Sequence, residues 1–233
     1  MLAARKWSAG SGNLTRHECL LTADTVVILG NRILNKPADE VEAVEMLTEL
    51  SGNTHIVITG VCIGGPDSAP FKLHVRSAVT FHTLNPAEIH EYVRTFRPLD
   101  KAGAYGAQEC LAQGANPCSE LERAFIQRLS LGDILTRSKP ANWKAAPMTA
   151  IKGIEGPYFN VMGLPVAELR RLAIRCKAED WKNVSLKIEY LGRELAYSDL
   201  ASSDWASGSL EPSRLFLSFR PVQKEDGKNR CRR

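Results

Sequence analysis

Hydrophobic positions change their period along this chain, and each change marks an element. Residues 20–29 read Leu-Leu-Thr-Ala-Asp-Thr-Val-Val-Ile-Leu, a β-branched apolar run that predicts a buried strand interrupted by one charge, Asp24. Gly30-Asn31 follows as a turn. Asp39 with Glu42 three residues on, then Ala43, Met46, Leu47 and Leu50 at helical spacing, predicts a capped helix ending near Gly52. Residues 56–63 and 73–81 predict two more strands. In the second, Leu73, Val75, Ser77, Val79 and Phe81 alternate with His74, Arg76, Ala78 and Thr80, and Gly64-Gly65-Pro66-Asp67 supplies the turn between the strands.

Asn85-Pro86-Ala87-Glu88 repeats the grammar of a helix start, with Ile89, Tyr92 and Val93 as the buried stripe. Two further helices are predicted, one opened by Ser119 and Glu122 and carrying Ala124, Phe125 and Leu129, the other after Pro165 carrying Leu169 and Leu172. Strands and helices interleave, so the fold class is α/β with a mixed sheet. Residues 132–152 lose all periodicity and read as a long surface loop. From about residue 178 the pattern becomes short alternations, Leu186, Ile188, Tyr190 and Leu215, Leu217, Phe219, around the serine-rich stretch 198–209.

Composition narrows the class. The chain has 233 residues, with 44% hydrophobic and 24% charged, which excludes collagenous, disordered and membrane-embedded chains. The formal charge of +4 arises largely from residues 224–233, which hold five basic and two acidic groups and read as a disordered basic tail. The body is nearly neutral, which argues against a stable nucleic-acid partner. The six cysteines include no C-x-x-C pair, so free thiols in a reducing compartment are expected. The start lacks the 7–15-residue apolar core of a secretory signal, and no run reaches the ~18 apolar residues of a membrane span. A cytoplasmic protein without a membrane partner is expected.

Candidate chemistry is sparse. A carboxylate inside an apolar strand needs a hydrogen bond, an ion pair, a metal or a solvent-filled cleft, and pattern alone leaves open whether Asp24 serves a cleft or faces a strand end. Lys36, before Pro37, is a loop cation that folding could bring near Asp24, although a loop lysine is ordinarily just solvated. The stretch Asp100-Lys101-Ala102-Gly103-Ala104-Tyr105-Gly106-Ala107-Gln108 packs small residues around a charged pair and one amide. It reads either as a tight turn or as a loop whose glycines admit a ligand and whose Gln108 meets a base edge. Residues 154–165, Ile-Glu-Gly-Pro-Tyr-Phe-Asn-Val-Met-Gly-Leu-Pro, read as a rigid loop packing under a site. No H-E-x-x-H, nucleophile elbow, Walker loop or dinucleotide fingerprint occurs, and Cys110 and Cys118 read as ordinary thiols.

Taken in order, Ala23-Asp24-Thr25-Val26-Val27, Asn35-Lys36-Pro37, Met46-Leu47 through Gly52, His55 with Thr59-Gly60-Val61, Glu88-Ile89 with Tyr92-Val93, residues 100–108 and residues 154–165 resemble the Maf family of nucleoside triphosphate pyrophosphatases. Seven spaced motifs agree between about Leu2 and Leu172. The resemblance implies an elongated α/β fold of the Maf/inosine-triphosphate-pyrophosphatase kind, with a mixed twisted sheet, a nucleotide cleft between two lobes, and a homodimer. It also implies hydrolysis of a nucleoside triphosphate between the α and β phosphates, assisted by a divalent cation, Mg²⁺ or Mn²⁺. Asp24 falls on the family's catalytic carboxylate, proton acceptor or metal ligand. Lys36 and Lys6 fall on phosphate-binding lysines. Thr25 and Gln108 fall on the base contacts of the branch acting on dTTP and UTP. These roles agree with phosphoryl-transfer chemistry, in which positioning and charge neutralisation dominate.

The match divides the chain into a Maf-like domain over residues 1–176, with a loop insertion at about 109–153 as a lid or dimer contact, and an unassigned extension over 177–233. The family pattern opens with a strand and a Ser-x-Ser-Pro-Arg-Arg phosphate loop that have no match here, so weak or absent turnover, or a start further upstream, is the expectation. Two other functions compete: a nucleotide-binding or interaction protein without turnover, and a 7-methyl-GTP pyrophosphatase, against which Thr25 and Gln108 argue.

Overall fold

The computed structural model describes residues 2–14, 18–65, 69–112, 115–128, 148–175, 184–190, 193–195 and 215–221. Within these, helix α1 (Leu2–Gly10) precedes strand β1 (Glu18–Leu29), and a two-residue turn leads to β2 (Arg32–Leu34). Helix α2 (Glu40–Leu50), strands β3 (Thr54–Gly64) and β4 (Phe71–Phe81) and helix α3 (Pro86–Phe96) follow. Then come α4 (Glu120–Arg128), β5 (Ile151–Glu155), α5 (Tyr158–Val161), α6 (Val166–Arg175), β6 (Val184–Tyr190), β7 (Arg193–Leu195) and β8 (Leu215–Pro221). The sheet runs β5-β4-β3-β1-β8-β6-β7, with β2 also beside β1.

The α/β class holds, with one correction. A mixed sheet was the expectation, but every strand pairing among the described residues is antiparallel. The reason is local: a two-residue hairpin turns β1 into β2, and a short connection turns β3 into β4, so the chain reverses where a parallel arrangement needs a crossover. The long loop expected at 132–152 lies mostly outside the described residues, as do Leu129, the serine-rich stretch 198–209 and the tail 224–233; the side chains of Phe125, Leu172 and the 184–221 strands lie outside them too.

Local chemistry explains the helices that matter. Asp39 caps α2 by accepting from the Glu42 amide at 2.9 Å, and Glu42 in turn accepts from the Ala38 amide at 2.6 Å. Gly52 leaves the helix at φ +72°, where a side chain would be strained. Asn85 caps α3 through the Ala87 amide at 2.9 Å, with Pro86 at the first helical position. The capped helices lay Ala43, Met46, Leu47, Leu50, Ile89, Tyr92 and Val93 onto Val27, Val57, Val79 and Phe81 to form the main core. Val27 and Leu29 of β1 face this side, and Leu20, Thr22 and Asp24 face α1, where Ala3, Trp7, Leu20 and Cys62 form a smaller cluster.

His55 sits fully enclosed in the main core, edge-on to Phe81 at 4.9 Å, with its Nε2 2.8 Å from the Tyr105 hydroxyl. Burial pulls its pKa from 6.5 down to about 4. The unfolded chain therefore binds a proton between those values while the folded chain does not, so His55 costs stability as the pH falls. Chemical denaturation should show about 2 kcal/mol lost from this group between pH 7 and pH 5, and His55→Gln should flatten that slope; an unchanged slope would locate the acid sensitivity elsewhere.

Candidate functional site

The middle of β1 carries the candidate chemistry, and α1 positions half of it. The Thr22 hydroxyl donates to the Ala3 carbonyl at 2.7 Å, while Ala3 and Trp7 bury against Leu20 and Cys62. Lys6 lies one helical turn beyond Ala3, and Asp24 lies two strand residues beyond Thr22 on the same face, so docking the first pair brings the second together. The Lys6 Nζ donates to Asp24 Oδ1 at 2.8 Å, with side chains 27% and 19% exposed. A charge-assisted bond this sheltered contributes about 1.5–3 kcal/mol. It also answers why a charge occurs in an apolar strand. The strand was expected to be buried, yet residues 23–26 are only half-buried.

That exposure has a topological cause. On one side β1 pairs with β3 from Leu20 to Ile28. On the other, β8 covers only Glu18 to Leu21 and β2 only Val27 to Leu29. Among the described residues no strand covers 22–26 there. An open edge lets one ligand reach side chains on both faces of a strand, and Asp24 and Thr25 point to opposite faces.

Thr25 faces β3's partner residue Thr59, with their hydroxyls 2.8 Å apart. The Thr59 hydroxyl donates to the Asn160 carbonyl at 2.9 Å, and the Thr59 amide donates to Asn160 Oδ1 at 3.2 Å. Asn160, fully buried, donates from Nδ2 to the Val57 carbonyl at 3.1 Å and to Ser77 Oγ at 2.9 Å. The stretch expected as a rigid loop under the site thus begins as strand β5, turns at Gly156, and enters α5 to plant Asn160 across β3 and β4.

Two loops frame the same sheet face as Thr25. The Gly103 amide donates to the Asn35 carbonyl at 3.2 Å, tying the Lys36 loop to the 100–108 segment. Gly103 adopts φ +71°, and a Cβ there would stand 3.1 Å from Val27, so only glycine lets this turn rest on β1. The Tyr92 hydroxyl, donating to Glu109 Oε2 at 2.5 Å and accepting from the Gly106 amide at 3.0 Å, pins the segment that presents Gln108. Burial pushes the Glu109 carboxyl above its ordinary pKa, against the pull of nearby Lys101. Lys101 itself pairs with Asp100 at 2.9 Å.

The five residues singled out from the sequence are therefore brought together in part. Lys6 and Asp24 touch; Thr25 sits beside Asp24 on the opposite face; Gln108 belongs to the loop over the Thr25 face and is partly exposed. Lys36 is exposed on the loop after β2 and forms no ion pair among the described residues. For a metal, the donor set is thin: the described residues hold no group of three His, Cys, Asp or Glu side chains placed to bind an ion. Cys110 and Cys118 are free and buried; burial pushes both thiols up, Cys118 to about 12, which suits the inert role expected of them.

One residue escaped sequence reasoning. Glu122 was readable as half of a Ser119-x-x-Glu122 capping box, and that holds, with Oε2 2.8 Å from both the Ser119 amide and hydroxyl. Its other half was not readable. Fully buried, Glu122 also accepts from the amides of Tyr158 and Phe159, the first donors of α5. Helix α4 is thus anchored by a carboxylate, while Ala124, expected among its apolar residues, is exposed.

This sequence has named counterparts. The Maf-like protein family matches residues 1–115. The dTTP/UTP pyrophosphatase of Moorella thermoacetica is 36% identical over 184 residues, covering 78% of this chain and 76% of the relative. Those of Phocaeicola vulgatus and Pelotomaculum thermopropionicum are 36% identical over 168 residues and 37% identical over 170, covering 68% and 70% of those relatives and 72% of this chain in each case. The chain belongs to the Maf family.

Removing Glu122 leaves two helix starts without their acceptor. Glu122→Ala should cost about 2–4 kcal/mol in chemical denaturation, and Glu122→Gln, which keeps one acceptor oxygen, should cost less; equal stability in all three forms would contradict the clasp.

Proposed function

We propose that this chain is a nucleoside triphosphate pyrophosphatase that hydrolyses dTTP and UTP to the monophosphate and pyrophosphate, clearing surplus or non-standard nucleotides before they enter nucleic acid. Relatives that carry the name dTTP/UTP pyrophosphatase support the class. The observation that carries it in this molecule is the half-buried Asp24 carboxylate, held by Lys6 at the open edge of β1 beside Thr25.

In this reading water attacks the α-phosphorus, its oxygen bonds there, the bond from the α-phosphorus to the bridging oxygen breaks, and pyrophosphate leaves with the electron pair. Asp24 orients that water and accepts its proton. A positioned carboxylate base of this kind contributes roughly 10²–10⁴-fold. Lys6, already bonded to Oδ1, fixes the carboxylate's direction and lies within reach of a phosphate oxygen. Lys36, exposed and without an ion-pair partner among the described residues, is free to meet the triphosphate. Thr25 and Gln108 contact the base. A divalent cation, Mg²⁺ or Mn²⁺, belongs to this reading as the counter-ion that the triphosphate brings with it, neutralising phosphate charge as substrate rather than residing in the protein. A cytoplasmic homodimer completes the proposal; no helix among the described residues is long and apolar enough to cross a membrane.

The test is pyrophosphate release from dTTP and UTP with Mg²⁺ present, run in ¹⁸O-labelled water so that label in the monophosphate reports attack at the α-phosphorus. Asp24→Asn should lower kcat by about 10²-fold or more while the protein stays folded. Lys6→Gln should lower activity less. Absence of pyrophosphate from every nucleotide, or full activity in Asp24→Asn, would overturn the assignment.

A further inference from the structure

The direction of the hydrogen bonds around Thr25 specifies what its hydroxyl can offer a ligand. A threonine hydroxyl has one proton to give and two lone pairs to accept with. The Asn160 carbonyl, 2.9 Å from the Thr59 hydroxyl, can only accept, so the single Thr59 proton is used there. The Thr59 oxygen then has none left for Thr25, and the 2.8 Å contact between the two hydroxyls must be donated by Thr25. Thr25 is left with lone pairs and no proton.

This polarity is locked from below. The Asn160 side chain is held at both ends, its Oδ1 by the Thr59 amide and its Nδ2 by the Val57 carbonyl and Ser77 Oγ. Ser77 Oγ in turn donates to the Pro157 carbonyl at 2.8 Å. Gly163 stands beside the Thr25 hydroxyl. Gly163 stands at φ +104°, and a Cβ built on it would find one heavy atom within 4 Å beyond its chain neighbours, Thr25 Oγ1 at 3.6 Å. Thr25 itself is partly exposed, on the stretch of β1 that no described strand covers on one side.

We infer that Asn160 and Thr59 are positioning residues that make the Thr25 hydroxyl an obligate acceptor, so that the base accepted here presents an N–H at that point. Thymine and uracil do so with the imide N3–H, whereas the N3 of cytosine has only a lone pair. A cytosine set in the same pose places two acceptors face to face, or forces the buried Thr59 to Asn160 bond to break. The inference rests on the nucleotide reading above and adds to it the chemical feature that selects the base.

Binding separates this claim from the reaction. Titration calorimetry with the non-hydrolysable α,β-imido analogues of dUTP, N3-methyl-dUTP and dCTP should show dUTP binding about 10-fold or more tighter than the other two. Thr59→Val keeps the branched shape but frees the Thr25 proton. The preference for dUTP over dCTP should then shrink most of the way to unity, with dCTP affinity rising, a gain that a merely loosened fold does not produce; Thr59→Ser should restore the wild-type ratio. Equal affinity for dUTP and its N3-methyl form in the wild-type protein would overturn the inference without any variant being needed, and so would an unchanged ratio in Thr59→Val. If dTTP is hydrolysed but no preference appears, the polarity claim fails alone. If the preference appears without hydrolysis, the reaction assignment fails alone; if no analogue binds, both fall.

Discussion

The segment that backs Thr59 and Thr25 depends on one buried amide. Asn160 reaches across β3 and β4 and satisfies a backbone amide, a backbone carbonyl and a hydroxyl with its side chain, while its own carbonyl takes the Thr59 proton. Buried polar groups are costly when half-satisfied and specific when complete. Here the set is complete, so the segment after β5 can hold only one position over the strands. Glu122 works toward the same end from behind, binding the first amides of α5 and thereby the turn of helix that carries Asn160.

The second constraint is the incomplete pairing of β1. A long central strand would normally hide its middle behind neighbours on both sides. Here, among the described residues, β8 and β2 stop short of each other, and residues 23–26 are half-buried between them. A carboxylate and a hydroxyl on successive residues, which strand geometry sends to opposite faces, become accessible from one edge. Helix α1 supplies Lys6 on one face, and the segment anchored by Asn160 shapes the other. The Lys6–Asp24 pair and the Thr25–Thr59 pair are thus separated by the thickness of a strand.

The loops above the Thr25 face are built to be stiff. Gly103 rests its backbone on Val27, and Tyr92 bridges the Gly106 amide and the buried Glu109 carboxyl. Ala104, a residue with a side chain, is also held at φ +59° beside it, a conformation that persists only where the surroundings enforce it. Such a loop holds Gln108 with little conformational freedom.

Much of this was legible in the sequence, because its causes are local. Alternation along 73–81 named the buried face of β4, the caps at Asp39 and Asn85 opened α2 and α3, and a lone aspartate in an apolar run marked the one place where a charge had to be explained. The ordered motifs carried the family. What only the tertiary structure decided are relations between distant residues: the Lys6 to Asp24 pair, the gap between β8 and β2, the antiparallel pairing throughout the described sheet, and the second role of Glu122. Periodicity reports which face of an element is apolar, and it carries no information about which polar groups two elements, a hundred residues apart in the chain, bring within hydrogen-bonding distance.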